Sequence, residues 1–373
     1  MSTLRHTPLH QRHEALGAAF TDFGGWSMPV RYTSDLLEHR AVRAAAGLFD
    51  ISHMAQFSVT GPDREAFLGY ALTLDPVHVA LSRARYAMIL AADGGIIDDL
   101  IVTRNAPDEF LIVANAGNRD AVRAALDERL AGFDAVVVEL DGALIAVQGP
   151  RAQQIVAATE GLAHDEALAM GHTLDTLPYY AAMGMRFRAG AVLVSRTGYT
   201  GEDGFELSVD SADAGALWDA LCAAGQPHGL TPAGLAARDS LRLEAGMPLY
   251  GHELSRDIAP AQVGLGRVVD MAKGDFVGKA GLSTRDLTGA PVLVGLAAAG
   301  RRAGRAGYAV LQVDGTRVGE ITSGILSPTL GHPIAMALVP PPLAEVGTEL
   351  LLDVRGTHVP ATVTAMPFYR RMK

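Results

Sequence analysis

Residues 94–102 read GGIIDDLIV, a Gly-Gly turn followed by an apolar strand that carries two adjacent carboxylates. Another strand-like run, residues 84–90, precedes the turn, so the pair predicts a β-hairpin. Successive strand residues point to opposite faces, which separates Asp98 from Asp99 and excludes a carboxylate dyad. Both faces are otherwise apolar, so at least one of these carboxylates is expected to be partly buried. Either it belongs to a functional site, or one or both aspartates simply bind turn amides near the hairpin.

Length and composition narrow the class of protein. The chain has 373 residues, which is long for one hydrophobic core, so we expect two or three domains. Its formal net charge of −10 argues against nucleic acid or an anionic membrane as a main partner. No run approaches the roughly 20 apolar residues of a membrane span, and the N-terminus lacks a signal-peptide core. The sequence therefore predicts a cytoplasmic protein with neither nucleic acid nor membrane as a partner.

The single cysteine, Cys222, excludes an internal disulfide and a cysteine-based metal or iron–sulfur site. It follows Leu217, Trp218 and Leu221 at helical spacing, which favours core packing over a reactive thiol. We expect no resident metal.

Helix and strand patterns indicate two further structural units. From residue 57 to residue 140 the order is strand, helix, hairpin, strand, helix and strand, which is typical of a split βαβ, ferredoxin-like unit. After residue 279 the helical periodicity fades, and residues 283–291 are expected to form a linker. Six strand patterns follow between residues 292 and 364, which predicts a small barrel or sandwich.

Two motifs are weak candidates for familiar chemistry. The loop RTGYTGEDG at residues 196–204 lies between strands and is rich in glycine, but no Walker lysine follows and its two acidic residues would repel phosphate. Asp50, Ser52 and His53 are the residue types of a hydrolase triad, yet they lie too close together in one strand to orient around a single carbonyl. Neither motif predicts a phosphate site or a hydrolase.

A predicted helix at residues 233–245 carries Arg238 and Arg242 on one face, with Asp239 beside them. Such a pattern usually forms salt bridges on an exposed helix face, and from the pattern alone we favour that interpretation.

Several separated stretches together resemble one family. They are DFGGW (22–26), FDISHM (49–54), GGIIDDL (94–100), RTGYTGEDGFE (196–206), GLAARDSLRLEAG (234–246), ITSG (321–324) and SPT (327–329). In this order and spacing the chain resembles the aminomethyltransferase, or T-protein, family of the glycine cleavage system over essentially its whole length. The resemblance implies an α+β fold of three domains around a central hole that holds tetrahydrofolate. These are a discontinuous first domain (1–55 and 141–282), a ferredoxin-like second domain (56–140) and a C-terminal β-barrel (283–373).

The resemblance also implies site residues. Asp99 falls on the catalytic position of the family. The positions that contact the folate are matched by Glu206, Tyr199, Arg238, Tyr86 and Asn115. The family often has an aromatic residue where this chain has Arg267. The implied reaction takes an aminomethyl group from the lipoyl arm of the carrier H-protein and gives methylene-tetrahydrofolate, ammonia and the reduced dithiol, with lipoate present only on the partner.

The residue types suit that reaction. A carboxylate such as Glu206 can accept the two parallel N–H groups of a pterin edge, and aromatic faces can stack on the flat ring. A fixed carboxylate at Asp99 would stabilise an iminium-like cation and help to move a proton. An arginine such as Arg238 suits either the ring or the glutamate tail of a folate.

Two alternatives share this fold. One is a folate-dependent demethylating module of the sarcosine or dimethylglycine type, which usually comes with a flavin oxidase, whereas this chain has no dinucleotide fingerprint. The other is a folate-binding protein that assists iron–sulfur assembly. That group has a Lys-Gly-Cys-type motif, and the only cysteine here lies in a predicted helix well before the C-terminal part.

Overall fold

The computed structural model describes residues 4–371, which divide into two compact units. The first unit holds the described residues up to Ile89 together with Asp99–Arg238. The second holds Leu90–Asp98 and the described residues from Asp239 onward. The predicted boundaries of three domains, and the central hole, stay predictions.

The described part of the chain contains eight α-helices and twenty strands. The helices are α1 (His10–Ala15), α2 (Asp35–Ala44), α3 (Arg64–Ala71), α4 (Arg119–Arg129), α5 (Ala152–Ala158), α6 (Ser211–Gly225), α7 (Leu235–Glu244) and α8 (Lys279–Thr284). The strands up to residue 150 are β1 (Ala19–Phe23), β2 (Trp26–Arg31), β3 (Ala46–Asp50), β4 (Ala55–Thr60), β5 (Ala84–Leu90), β6 (Ile96–Ala106), β7 (Glu109–Ala114), β8 (Val136–Glu139) and β9 (Gly142–Gln148). The later strands are β10 (Leu162–His164), β11 (Ala182–Phe187), β12 (Gly190–Ser195), β13 (Gly204–Asp210), β14 (Leu230–Pro232), β15 (Val292–Ala298), β16 (Ala309–Leu311), β17 (Arg317–Leu326), β18 (Pro333–Val339), β19 (Glu349–Val354) and β20 (Thr357–Thr364).

A seven-stranded sheet has the order β10-β11-β12-β13-β9-β3-β14. Strands β3 and β9 are separated in the chain by strands β4 to β8, yet β3 and β9 pair antiparallel. Helix α6 packs on β9 and β13 and buries Leu217, Trp218 and Leu221 in the core of this sheet. Cys222 is half-buried against the same core, so the prediction of core packing for this residue is confirmed.

The five-stranded sheet has the order β5-β6-β7-β4-β8. Without its edge strand β5, the order of the four remaining strands is that of the predicted split βαβ unit, with β4 between β7 and β8. The predicted hairpin is present as β5 and β6. In the pairing of β6 with β7, Leu100 lies opposite Ala114, so Asp99 and Asn115 occupy the next pair of positions.

The C-terminal strands form a closed barrel in the order β15-β18-β17-β16-β19-β20, and β15 pairs with β20 to close it. Its interior holds Leu296, Ile321, Ala337 and Leu352, all nearly or fully buried. The structure therefore selects the barrel over the sandwich.

Helix α8 departs from the sequence prediction, because residues 279–284 are helical where the periodicity fades. A Cβ atom on Gly281 would lie 2.3 Å from the backbone oxygen of Ala92, so the helix backbone packs closely against this segment. This packing, rather than an apolar stripe, accounts for the short helix. Arg267, at the position where the family often has an aromatic residue, lies in a short 3₁₀-helix (Gly266–Val268) with an exposed side chain. No helix among the described residues has the length and apolar character needed to span a membrane.

Candidate active site

The carboxylate of Asp99 is held on both oxygens by the strands that flank β6. The hydroxyl of Tyr86, on β5, donates to Oδ2 over 3.0 Å. The amide of Asn115, directly after β7, donates to Oδ1 over 2.8 Å and to the backbone oxygen of Asp99 over 3.1 Å. Because β5 and β7 are the neighbours of β6, the sheet order itself assembles these three predicted residues.

Burial makes Asp99 a carboxyl group that can exchange protons near neutral pH. It raises the pKa of Asp99 to about 6, while the hydrogen bonds from Tyr86 and Asn115 partly offset the shift. Asp98, on the opposite face of the strand, is fully buried. The partners of the Asp99 carboxylate are side chains, so for this residue the turn-amide alternative is wrong. A half-buried carboxyl group with a raised pKa is a candidate general acid or base.

Glu206, on β13, forms a second polar centre in the same unit. Thr197 donates its hydroxyl to Oε2 of Glu206 over 2.5 Å, and no described residue hydrogen-bonds to Oε1. Burial raises the pKa of Glu206, and the Thr197 hydroxyl and the positive charge of Arg238 oppose this shift. One oxygen is thus oriented by the protein, and the other is open to an N–H donor of a ligand.

Arg238 supplies a positive charge beside this carboxylate. Its guanidinium carbon lies 4.8 Å from the centroid of the Tyr199 ring, within the range of a cation–π contact. No described carboxylate forms an ion pair with Arg238. Burial lowers its pKa, whereas the charge of Glu206 and the Tyr199 phenol favour the cation. This arrangement leaves Arg238 available to an acceptor atom of a ligand.

Arg242 behaves differently and contradicts the expected surface ladder. Its side chain is 1% exposed, and it pairs with Glu253 over 3.0 Å and with Asp239 over 2.8 Å. It also donates to the hydroxyl of Ser323 over 2.8 Å. The ladder prediction is therefore wrong, because one arginine of the helix is buried in a polar network and the other faces Tyr199.

Tyr180, which the sequence analysis did not single out, lies within electrostatic range of Glu206 and Asp99. Its pKa is raised by burial and then by Tyr179, Glu206 and Asp99, so the charges of both site carboxylates reach its hydroxyl. Its φ of 58° is in the left-handed region, which is unusual for an aromatic residue. Its backbone accepts from Ala84 N over 2.9 Å at the start of β5 and donates to Arg196 O over 3.0 Å. This backbone pairing links the start of β5 to the segment around Arg196, and no local pattern predicts it.

Asp50 and Ser52, two of the three residues with the types of a hydrolase triad, make hydrogen bonds within the protein. Asp50 accepts hydrogen bonds from Thr7 over 2.6 Å and from His13 over 2.8 Å, and the hydroxyl of Ser52 contacts the backbone of Leu144. No hydrolase triad forms among these residues, as predicted. His13, which the sequence analysis did not single out, is the ring partner of Asp50.

The acidic residues of the 196–204 loop are paired within the protein. Glu202 lies 2.9 Å from Arg43, and Asp203 lies 2.6 Å from Arg196. These ion pairs fix the loop from both sides, and the loop then presents Tyr199 to Arg238.

Comparisons with known proteins agree with this architecture. Residues 9–273 match the model of the GCVT N-terminal domain, and residues 292–370 match that of the glycine cleavage T-protein C-terminal barrel domain. The chain is 54% identical to an aminomethyltransferase of Cutibacterium acnes and 52% identical to one of Saccharopolyspora erythraea, with 100% of each chain covered in both comparisons. A crystal structure of the glycine cleavage system aminomethyltransferase T from Bartonella henselae is 38% identical, with a TM-score of 0.88 over 99% of this chain and 100% of that one. These matches favour the aminomethyltransferase over both alternatives that share the fold. The chain therefore belongs to the aminomethyltransferase, or T-protein, family of the glycine cleavage system.

Proposed function

We propose that this enzyme transfers the aminomethyl-derived one-carbon unit from the lipoyl arm of the carrier H-protein to tetrahydrofolate. The products are 5,10-methylenetetrahydrofolate, ammonia and the dihydrolipoyl carrier. The observation that carries this assignment is the Asp99 carboxylate, which is oriented on both oxygens and has a pKa of about 6. A cytoplasmic location, and the H-protein as partner, belong to the same proposal.

Glu206 and Arg238 are the proposed contacts of the pterin. The Oε1 atom of Glu206 is open, and its Oε2 atom is fixed by Thr197, so the carboxylate can accept the parallel N–H groups of the pterin edge. Arg238 lies close enough to Glu206 for their charges to interact, which favours a contact with a ring acceptor atom over one with the glutamate tail. The Tyr199 ring offers an aromatic face at the same point.

Asp99 is the proposed catalytic residue. The methylene group leaves sulfur and nitrogen and becomes bonded to two folate nitrogens, each of which loses a proton. One proton ends on the sulfur and the other on the departing ammonia, so the atoms and charges balance. The ionised carboxylate would stabilise the cationic character that develops on the methylene carbon and would accept a proton from the attacking nitrogen. Tyr86 and Asn115 keep the carboxylate in one orientation while this happens.

Two variants separate binding from chemistry. Glu206→Ala should weaken tetrahydrofolate binding by about tenfold or more, because a ligand N–H pair would lose its charged acceptor. Asp99→Asn should keep the dissociation constant within about threefold, because the introduced amide has nearly the same shape. Isothermal titration calorimetry measures both, with the exposed Glu160→Ala as a control. Equal loss of binding in the Glu206 and Asp99 variants would contradict this division of roles.

A further inference from the structure

Gln148 fills a space that the 196–204 loop leaves for it. It is the last residue of β9 and is 1% exposed. A Cβ atom on Gly198 would lie 1.9 Å from its Oε1, and a Cβ atom on Gly204 would lie 2.3 Å from its Nε2. Two glycines of the loop are therefore required by the side chain of Gln148.

The carboxamide of Gln148 makes two hydrogen bonds of opposite sense. Its Nε2 donates to the backbone oxygen of Thr197 over 3.0 Å, and its Oε1 accepts from the hydroxyl of Thr200 over 3.0 Å. Thr200 is fully buried, and its own hydroxyl accepts from the backbone N–H of Glu202 over 3.2 Å. Gln148 thus holds the loop immediately before and immediately after Gly198 and Tyr199.

These bonds connect Gln148 with the proposed folate contacts. Thr197, whose backbone is fixed by Gln148, is the residue that orients Oε2 of Glu206. In the pairing of β9 with β13, Gln148 lies opposite Gly204 and Ala146 lies opposite Glu206. The side chains of Gln148 and Glu206 are therefore on the same face of the sheet. Tyr199, between the two held threonines, contacts Arg238.

We infer that Gln148 is a positioning residue of this site: its carboxamide fixes Thr197 and Thr200, and through them aims Glu206 and Tyr199 at the folate without contacting it. The inference rests on the proposed function, since the ligand is the one assigned there. It explains why the loop contains glycine at positions 198 and 204, for which the site residues alone give no reason.

The test replaces the carboxamide by a group of the same length that cannot hydrogen-bond. Gln148→Met should leave the Thr197 oxygen without its donor and let the loop shift. We expect the KM for tetrahydrofolate, and its dissociation constant, to rise by about tenfold or more, while kcat at saturating folate falls by less than about threefold. Steady-state release of ammonia from an aminomethylated lipoyl carrier, with tetrahydrofolate titrated, measures the two constants, and calorimetry measures binding.

Gln56→Met is a matched control. Gln56 is also 1% exposed, and its Oε1 accepts from Ser208 over 2.7 Å, on the same strand and face as Glu206 but away from the loop. This variant should lose comparable thermal stability and keep the wild-type KM. A merely structural role for Gln148 predicts equal KM values for the two variants, and that result would overturn the inference.

A second variant tests the same hydrogen-bond network in case Gln148→Met does not fold. Thr200→Val removes the hydroxyl from the same network and should raise KM in the same direction, with kcat largely retained. An unchanged KM in Thr200→Val would also overturn the inference. Failure of the wild-type chain to bind tetrahydrofolate would instead contradict the proposed function, so the two failures are distinguishable.

Discussion

Burial and hydrogen bonding shift the pKa of the Asp99 carboxyl group in opposite directions. Burial disfavours the charged form, and the donors Tyr86 and Asn115 favour it, with a resulting pKa of about 6. The usual value is 3.8, so the native state binds this proton more tightly than the unfolded chain does. The contribution of this bound proton to the free energy of unfolding is fully present below about pH 4 and is lost as the pH rises through 6.

Asp99→Asn removes this titration and should therefore stabilise the protein more at high pH than at low pH. The advantage of the variant in free energy of unfolding should grow by about 1 kcal/mol between pH 5 and pH 8, from a pKa difference of about two units. Urea unfolding at both pH values measures the change. An advantage that stays constant or shrinks with rising pH would contradict the burial of an ionisable carboxyl group here.

Single residues were predicted to different degrees. The period of the strand placed Asp98 and Asp99 on opposite faces, and the resemblance selected Asp99 as the proposed catalytic residue. The resemblance selected Tyr86 and Asn115 as folate contacts but did not place them beside Asp99, because their contacts with it depend on the order of three strands. Tyr180 and Gln148 were not singled out, because their hydrogen bonds, with Ala84 and Thr197, join residues distant in sequence.

Among the elements, helix α7 carries two arginines with different surroundings. Arg238, near its middle, faces Tyr199, whereas Arg242, one turn later, is buried against Glu253. Near the end of the helix the carboxylate of Glu244 accepts from the hydroxyls of Ser327 and Thr329 and from the backbone N–H of Thr329. These bonds give a physical reason for the SPT stretch, which the sequence analysis used only as a family signature.

Glu253→Ala should strongly destabilise the second unit. It would leave the buried guanidinium of Arg242 without its best-shielded partner, at a cost of about 3–5 kcal/mol in the free energy of unfolding. Glu320→Ala is the comparison, because Glu320 pairs with Arg317 over 2.8 Å on the surface of the barrel and should change stability by less than about 1 kcal/mol. Chemical denaturation of both variants measures the difference. Similar losses would show that Arg242 does not depend on Glu253.

Elements whose burial follows their own periodicity were predicted well. The β5–β6 hairpin, the second helix of the ferredoxin-like unit and the six C-terminal strands occur in the expected order and within the expected ranges. Helix α8 was missed because backbone packing at Gly281, rather than an apolar stripe, stabilises it. Arg242 was misassigned because a helical pattern shows which residues share a face, but not whether the face is exposed.

On the scale of the whole molecule, the seven-stranded sheet takes β3 from before the five-stranded sheet and β9 from after it. The sequence patterns alone did not predict this discontinuous sheet, because strand pairing across a long insertion has no local signal. The resemblance implied it, and the order of strands agrees. The same pairing places β9, and with it Gln148, beside the strand that carries Glu206.

The central claim is that this chain performs aminomethyl transfer to tetrahydrofolate with Asp99 as the catalytic carboxylate. Tetrahydrofolate-dependent release of ammonia from an aminomethylated lipoyl carrier tests it most directly, with the wild-type chain measured beside Asp99→Asn. We predict release by the wild type and a loss of about 100-fold or more in the variant, in the range of general acid–base catalysis. Undiminished release by the variant, or no release by a wild-type chain that still binds tetrahydrofolate, would contradict the claim.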